Sequence, residues 1–362
     1  MHTAFILTTT LTISLAFASQ AATQLSRDRL LEFESSHHEI RPVKTWREWN
    51  ERKNAIRDAM QSVMGTLPRR ANMCPLEMQV HEKVSCDGYA RWQISYQVVL
   101  GHRVPGYLLI PDAALRGSQK FPGILTLHQT HPEGQKVVVG LGKSPDDEYG
   151  VELVRRGYVC LAPPYPMLAN YWPSVKELGF ESGTMLGIWI NMRGLDLLQS
   201  LSFVGGQSFG CIGHSLGGHN GLFTAAFDER IGVVVSSCGL DRFRDYYNGD
   251  PKVWQPERGW CQTRYMPRLA AYQNRLNEIP FDFGEIVACI APRQVFISAP
   301  TGDSNFFWQS VDRVADTARP VFALKRPNEH LKTVHPDSPH RFPPHIREEA
   351  YLLIDRTLKR RP

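Results

Sequence analysis

After residue 21 the sequence has no apolar run approaching the roughly 18 residues that a membrane-spanning helix needs, so no integral membrane segment is expected in the mature chain. It has no long basic run either. Its 41 basic and 36 acidic residues are dispersed and leave a formal charge of +5, without the continuous positive track that follows a phosphate backbone, so no nucleic-acid partner is expected. No CxxC or Cys/His spacing of the zinc-binding kind occurs among its seven cysteines, and neither a metal nor a cofactor is expected. Internal repeats and low-complexity tracts are also missing from its 362 residues. At 42% hydrophobic and 21% charged residues, the chain can bury a sizeable core.

What is there begins with a targeting pattern. An uncharged apolar stretch from Ala4 to Ala18 is followed by Ser19-Gln20-Ala21, which puts small residues at the −3 and −1 positions of a cleavage site. Residues 1–21 therefore read as a signal peptide and the protein as secreted or periplasmic. Cys160, Cys211, Cys238 and Cys289 sit in short apolar runs and read as small buried hydrophobes. Cys74 and Cys86 lie outside the core pattern and are candidates for a disulfide in an oxidising compartment, with Cys261 left over in a loop.

Residues 22–70 read as an N-terminal helical segment, carried by the near-3.6 period of Trp46, Trp49, Ile56, Met60 and Val63. Residues 71–362 read as one α/β domain. Residues 77–110 alternate like antiparallel strands around a Gly101-His102 turn, and from residue 121 strands and helices alternate. Such alternation implies a mostly parallel sheet with helices on both faces. Two long connections, 163–181 and 240–283, are rich in Tyr, Trp, Pro and Gly and are expected to build a lid over a site.

The chemistry centres on Gly213-His214-Ser215-Leu216-Gly217. An apolar strand precedes it and a helix follows it, the context in which this pattern forms a nucleophile elbow. A sharp strand-to-helix turn strains the serine backbone, and larger side chains two residues away would collide, so both neighbours are glycine. Ser215 is the expected nucleophile. With the chain order serine, acid, histidine, His340 before the last helix is the expected base and His335 the second choice. Asp303, after strand Gln294–Ser298, is the expected acid, and Asp241 the alternative one strand earlier. The oxyanion-hole donors are expected from the backbone N–H of Leu216 and of Gln129, with Thr130 as an alternative to Gln129. His128 reads as a brace for that loop.

With these residues in view, the chain resembles the dienelactone hydrolase-like and acetyl xylan esterase-like branch of the α/β hydrolases over about residues 100–358. The resemblance rests on Val104-Pro105-Gly106-Tyr107-Leu108-Leu109-Ile110-Pro111, His128-Gln129-Thr130, Gly157-Tyr158-Val159, the elbow with Gly218, Ala291-Pro292-Arg293, Asp303 and His340. It implies an α/β-hydrolase fold and a serine carboxylesterase that works through an acyl-enzyme on a small or carbohydrate-linked ester. Dienelactone hydrolase itself has a cysteine nucleophile, and the elbow here differs from the CysSerArg elbow of glucuronoyl esterases. Trp172, Trp260 and Tyr265, in the long connections, are the candidate substrate-binding aromatics. The competing readings are a serine peptidase of the prolyl-oligopeptidase type and a silent binding domain. The first is weakened because no propeller-like repeat precedes the elbow.

Overall fold

In the computed structural model, which describes residues 27–34, 39–117, 119–325 and 330–359, the chain folds around a nine-stranded sheet. The expected signal peptide lies outside the described residues. Among the described residues of the segment 22–70, the α-helix is α1 (Trp46–Met64), and before it β1 (Glu32–Glu34) and β2 (Ile40–Pro42) pair antiparallel. Pro42 is the physical reason, since it disfavours helical backbone at Arg41. Helix α1 begins with a capping box. The Glu48 N–H donates to Thr45 Oγ1 at 3.3 Å, and the Thr45 N–H donates back to Glu48 Oε2 at 2.8 Å. Trp49, Ile56, Met60 and Val63 form its inner face and join the same hydrophobic cluster as the sheet residues Leu125, Leu127 and Val234.

An antiparallel edge follows, made of β3 (Gln79–Cys86), β4 (Tyr89–Val99) and β5 (His102–Pro111). The chain then runs through α2 (Asp112–Leu115), β6 (Gly123–Leu127), α3 (Tyr149–Arg155), β7 (Val159–Ala162), α4 (Gly183–Ser200), β8 (Phe209–His214) and α5 (Leu216–Phe227). It continues through β9 (Ile231–Ser237), α6 (Phe283–Ala288), β10 (Gln294–Ser298), α7 (Trp308–Ala323), β11 (Leu331–Val334) and α8 (Pro344–Leu358). The strand order is β11-β10-β9-β8-β6-β7-β5-β4-β3, and the pairs from β7 to β11 are all parallel.

Period-two alternation divides the strand side chains between two cores. Cys211, Val234, Val295 and Ile297 face a cluster with α1, α4, α5, α6 and α7. Ile212, Val233, Val235 and Phe296 face α3 and α8 through Leu153, Ile346, Ala350 and Ile354. This is the expected α/β-hydrolase arrangement. It leaves the C-terminal ends of β6, β8, β9 and β10 and their loops free to build a site.

All seven cysteines are free. Cys74 lies against α4, where its carbonyl accepts from Arg193 at 2.5 Å, whereas Cys86 packs with the α3 and α8 cluster on the other side. Cys261 is not a loop leftover but is buried, 1% exposed, with its thiol donating to Trp254 O at 3.4 Å. Among the described residues no helix is long and apolar enough to cross a membrane.

Candidate active site

Ser215 stands alone between the end of β8 and the start of α5, with φ 52° and ψ −119°. Backbone in this region costs about 1–3 kcal/mol for a non-glycine residue, so the surroundings must hold it there. They do. The Ser215 N–H donates to Ser237 O on β9 at 2.7 Å, and the flanking glycines allow backbone to approach where no side chain fits. A Cβ on Gly217 would lie 1.9 Å from Leu127 O, and one on Gly213 would lie 2.2 Å from the Gly217 carbonyl carbon. Leu216 is the first residue of α5, so its N–H is among the donors that a helix start leaves unpaired, at the positive end of the helix dipole.

The expected acid and base meet. Asp303 lies in the turn after β10, and His340 in the loop before α8. His340 Nδ1 is 2.9 Å from both carboxylate oxygens of Asp303. Asp303 Oδ1 also accepts the N–H groups of Asn305 at 2.8 Å and Phe306 at 3.2 Å. Burial alone would raise the Asp303 pKa, but the His340 hydrogen bond and charge and these two N–H donors together hold it below the usual value. The carboxylate therefore fixes the proton of the neutral imidazole on Nδ1 and leaves Nε2 as the acceptor, on a ring lining the same cleft as Ser215.

The alternatives fall elsewhere. His335 pairs with Asp312 of α7 at 3.0 Å and bonds Ala299 O through its other nitrogen. Asp241 is fully buried. Its Oδ2 accepts only a 3.4 Å bond from the Phe307 N–H, its Oδ1 has no partner, and burial raises its pKa well above the usual range. His128 accepts the Tyr165 N–H on Nε2 at 3.1 Å, so Nδ1 carries the proton and donates to Gln129 O at 2.8 Å. That bond braces the loop that presents Gln129.

The cleft measures about 320 Å³. Gln129, Thr130, Ser215, Leu216 and His340 line one side, and Tyr246, Trp260, Gln262 and Tyr265, all from the 240–283 connection, line another with Asn305 and Phe306. Among the described residues no Lys, Arg, Asp or Glu lines it. Of the candidate aromatics, Trp260 and Tyr265 line this cleft and Trp172 does not. It is 65% exposed, with its indole N–H donating to Ala169 O at 2.8 Å, outside the cleft lining. The 163–181 connection turns back on itself there, with Leu168 and Tyr171 bonded to each other, and none of its residues reaches the lining. Sequence reasoning missed His214 as a site residue. Its ring lies 4.9 Å from that of His340, and its Nδ1 lies 3.1 Å from Ser237 Oγ. Its place directly before the elbow serine was the available signal.

Three buried histidines make the fold acid-sensitive. Burial lowers the pKa of His128 from 6.5 to about 4, and those of His214 and His219 to about 3, with the neighbouring His340 adding to the effect at His214. Neither ring nitrogen of His219 has a hydrogen-bond partner among the described residues. Below pH 6.5 the unfolded chain binds protons that the folded chain refuses. Stability is therefore complete above that pH and falls toward the folded values, at about 1.4 kcal/mol per pH unit for each imidazole. Denaturant unfolding at a series of pH values is expected to follow that slope, and His219→Phe is expected to flatten it by one proton. An unchanged slope in that variant would refute the assignment.

The fold is that of the α/β hydrolases. Within that class the similarities are to esterases. A family model for fungal glucuronyl esterases matches residues 181–324, which hold the elbow, Asp303 and most of the cleft's aromatic wall. The Bacillus subtilis protein YtaP, named as a hydrolase, is 28% identical over 197 residues. These are 51% of this chain and span only 58% of that relative's length. A glucuronoyl esterase from Solibacter usitatus superposes with a TM-score of 0.70 at 17% identity, covering 92% of this chain and 97% of that one. A CE15 glucuronoyl esterase from Teredinibacter turnerae does so with a TM-score of 0.64 at 16% identity, covering 91% and 88%. At these identities the likeness to the solved structures is one of fold.

Proposed function

We propose that this chain is an exported esterase that cleaves carboxylic esters borne by carbohydrates through an acyl-enzyme on Ser215. The observation that carries the reading is a histidine paired with Asp303 that lines the same cleft as a strained serine. In the proposed cycle, His340 Nε2 takes the proton of Ser215 as the hydroxyl attacks the ester carbonyl. Asp303 stabilises the resulting imidazolium, and the proton passes to the departing alcohol. The N–H groups of Leu216 and Gln129 receive the oxyanion. Water then enters by the same route, and the carboxylic acid leaves.

The sugar is proposed to lie against Trp260 and Tyr265, whose rings stand 5.3 Å apart at 70°, with the Gln262 and Asn305 amides meeting hydroxyl groups. The glucuronyl esterase family match and the solved glucuronoyl esterases support a uronoyl ester, in which the sugar supplies the acyl group. A panel of glucuronoyl methyl and benzyl esters, acetylated xylo-oligosaccharides and feruloylated sugars tests it. The glucuronoyl esters are expected to give the highest kcat/KM. Faster cleavage of aminoacyl anilides than of any ester would overturn the reading in favour of a peptidase. A fluorophosphonate probe that leaves the parent unlabelled would refute catalysis altogether.

A further inference from the structure

We infer that Cys238, Asp303 and His340 form a binding site for a thiophilic divalent cation, of the zinc or cadmium kind, whose occupation switches the hydrolase off. One ligand atom from each of the three residues lies within 4.8 Å of the other two. A tetrahedral site with Zn–S near 2.3 Å and Zn–N near 2.0 Å sets its ligands roughly 3.5 Å apart, so the widest pair must close by little more than roughly 1 Å. The His340 side chain, 21% exposed and carried on a loop, can make that adjustment, while Asp303 and Cys238 are buried and fixed.

The backbone places the thiol deliberately. Cys238 follows β9 with φ 52°, and this turn aims Sγ at the loop that holds His340, where the thiol donates to Arg341 O at 3.5 Å. Ser237 Oγ lies 3.6 Å from the same sulfur. A cysteine that merely fills a core sits among apolar atoms, whereas this one has a carboxylate, an imidazole and a carbonyl around it. Thiolate, imidazole and carboxylate form a zinc ligand set, and water can take the fourth position. The sequence hides the set because its members come from three separate loops, after β9, after β10 and before α8.

The chemistry balances simply. The thiol gives up its proton to solvent as the sulfur–metal bond forms. His340 moves its Nδ1 proton to Nε2, so that Nδ1 can ligate the metal, and Asp303 keeps its charge. In that tautomer Nε2 is a donor and cannot take the proton from Ser215, so the bound ion silences the serine without touching it. Because one proton is released, binding tightens as pH rises.

The inhibition rests on the hydrolytic reading, but the binding does not, so the two are measured separately. Full-length protein is titrated with ZnCl2 and CdCl2 in a non-chelating buffer while hydrolysis of p-nitrophenyl acetate is followed. Binding is read in parallel from the thiolate-to-cadmium charge-transfer absorption. The parent is expected to lose activity reversibly, with recovery on adding EDTA, and to show the absorption band. Ser215→Ala should keep the band. Cys238→Ala should keep its activity, lose the band and need about tenfold or more metal for inhibition, the scale on which losing even an outer-shell partner weakens a metal site. Cys238→Ser serves the same purpose if the alanine variant folds poorly. A parent without the band, or a cysteine variant as metal-sensitive as the parent, would overturn the inference.

Discussion

Ser215→Ala is expected to lower kcat for ester hydrolysis by about 10⁶-fold while leaving the fold intact. The size of the loss follows from what remains. The cleft, the oxyanion donors and the Asp303–His340 pair all persist in the variant, but none of them offers an atom that can bond to the carbonyl carbon. Such a site still accelerates attack by water modestly, through position and electrostatics. Stability should hardly change, because alanine pays the same backbone strain as serine at φ 52° and Ser215 caps no helix through its side chain. Matched melting curves, together with the loss of fluorophosphonate labelling, separate lost chemistry from lost fold. A folded variant that keeps activity within about a hundredfold of the parent would exclude Ser215 as the nucleophile.

Asp303→Asn is expected to cost about 10⁴-fold in kcat with little change in KM. The amide is nearly the same size and shape, so the substrate wall and the elbow stay in place. What changes is the proton. Turned toward His340, an amide N–H meets Nδ1 as a donor and drives the ring proton onto Nε2. The wrong tautomer then faces Ser215, and the imidazolium loses its counter-charge. The companion measurement is Asp241→Asn. Asp241 has one oxygen without a partner among the described residues, and burial raises its pKa well above the usual range, which favours the neutral form. An amide replaces a neutral carboxyl group almost without consequence, and activity should stay within about threefold of the parent. If Asp241→Asn suffered the large loss and Asp303→Asn did not, the acid would belong to β9 rather than β10.

The candidate site's geometry was legible in the sequence because the spacing rules of a strand-to-helix elbow are steric. Gly213 and Gly217 are dictated by backbone contacts of 2.2 and 1.9 Å, and no other residue can satisfy them. Chain order then narrowed acid and base to a few candidates. Helix α7 escaped, although Val311, Val314, Ala315, Ala318, Val321 and Phe322 form a regular inner face. Pro320 within it and the charged Asp312, Arg313, Asp316 and Arg319 between those positions mask the period. Strand β11 escaped because four residues at a sheet edge, three of them partly or fully exposed, leave almost no alternation to detect. Trp172 was misplaced for another reason. Composition marks a loop as aromatic, but only the path of the backbone decides which rings point inward.

Among the described residues, the lining of the cleft carries no lysine, arginine, aspartate or glutamate. If the chain hydrolyses a neutral ester as proposed, the anion forms in a place whose lining holds no permanent cation, and the acid is expected to be released rather than retained. Competitive inhibition by the product should be slight. A neutral ester carries no net charge for the protein's field to steer, so kcat/KM should be nearly indifferent to ionic strength. An enzyme with such a cleft would turn over at much the same rate in fresh water and in brine.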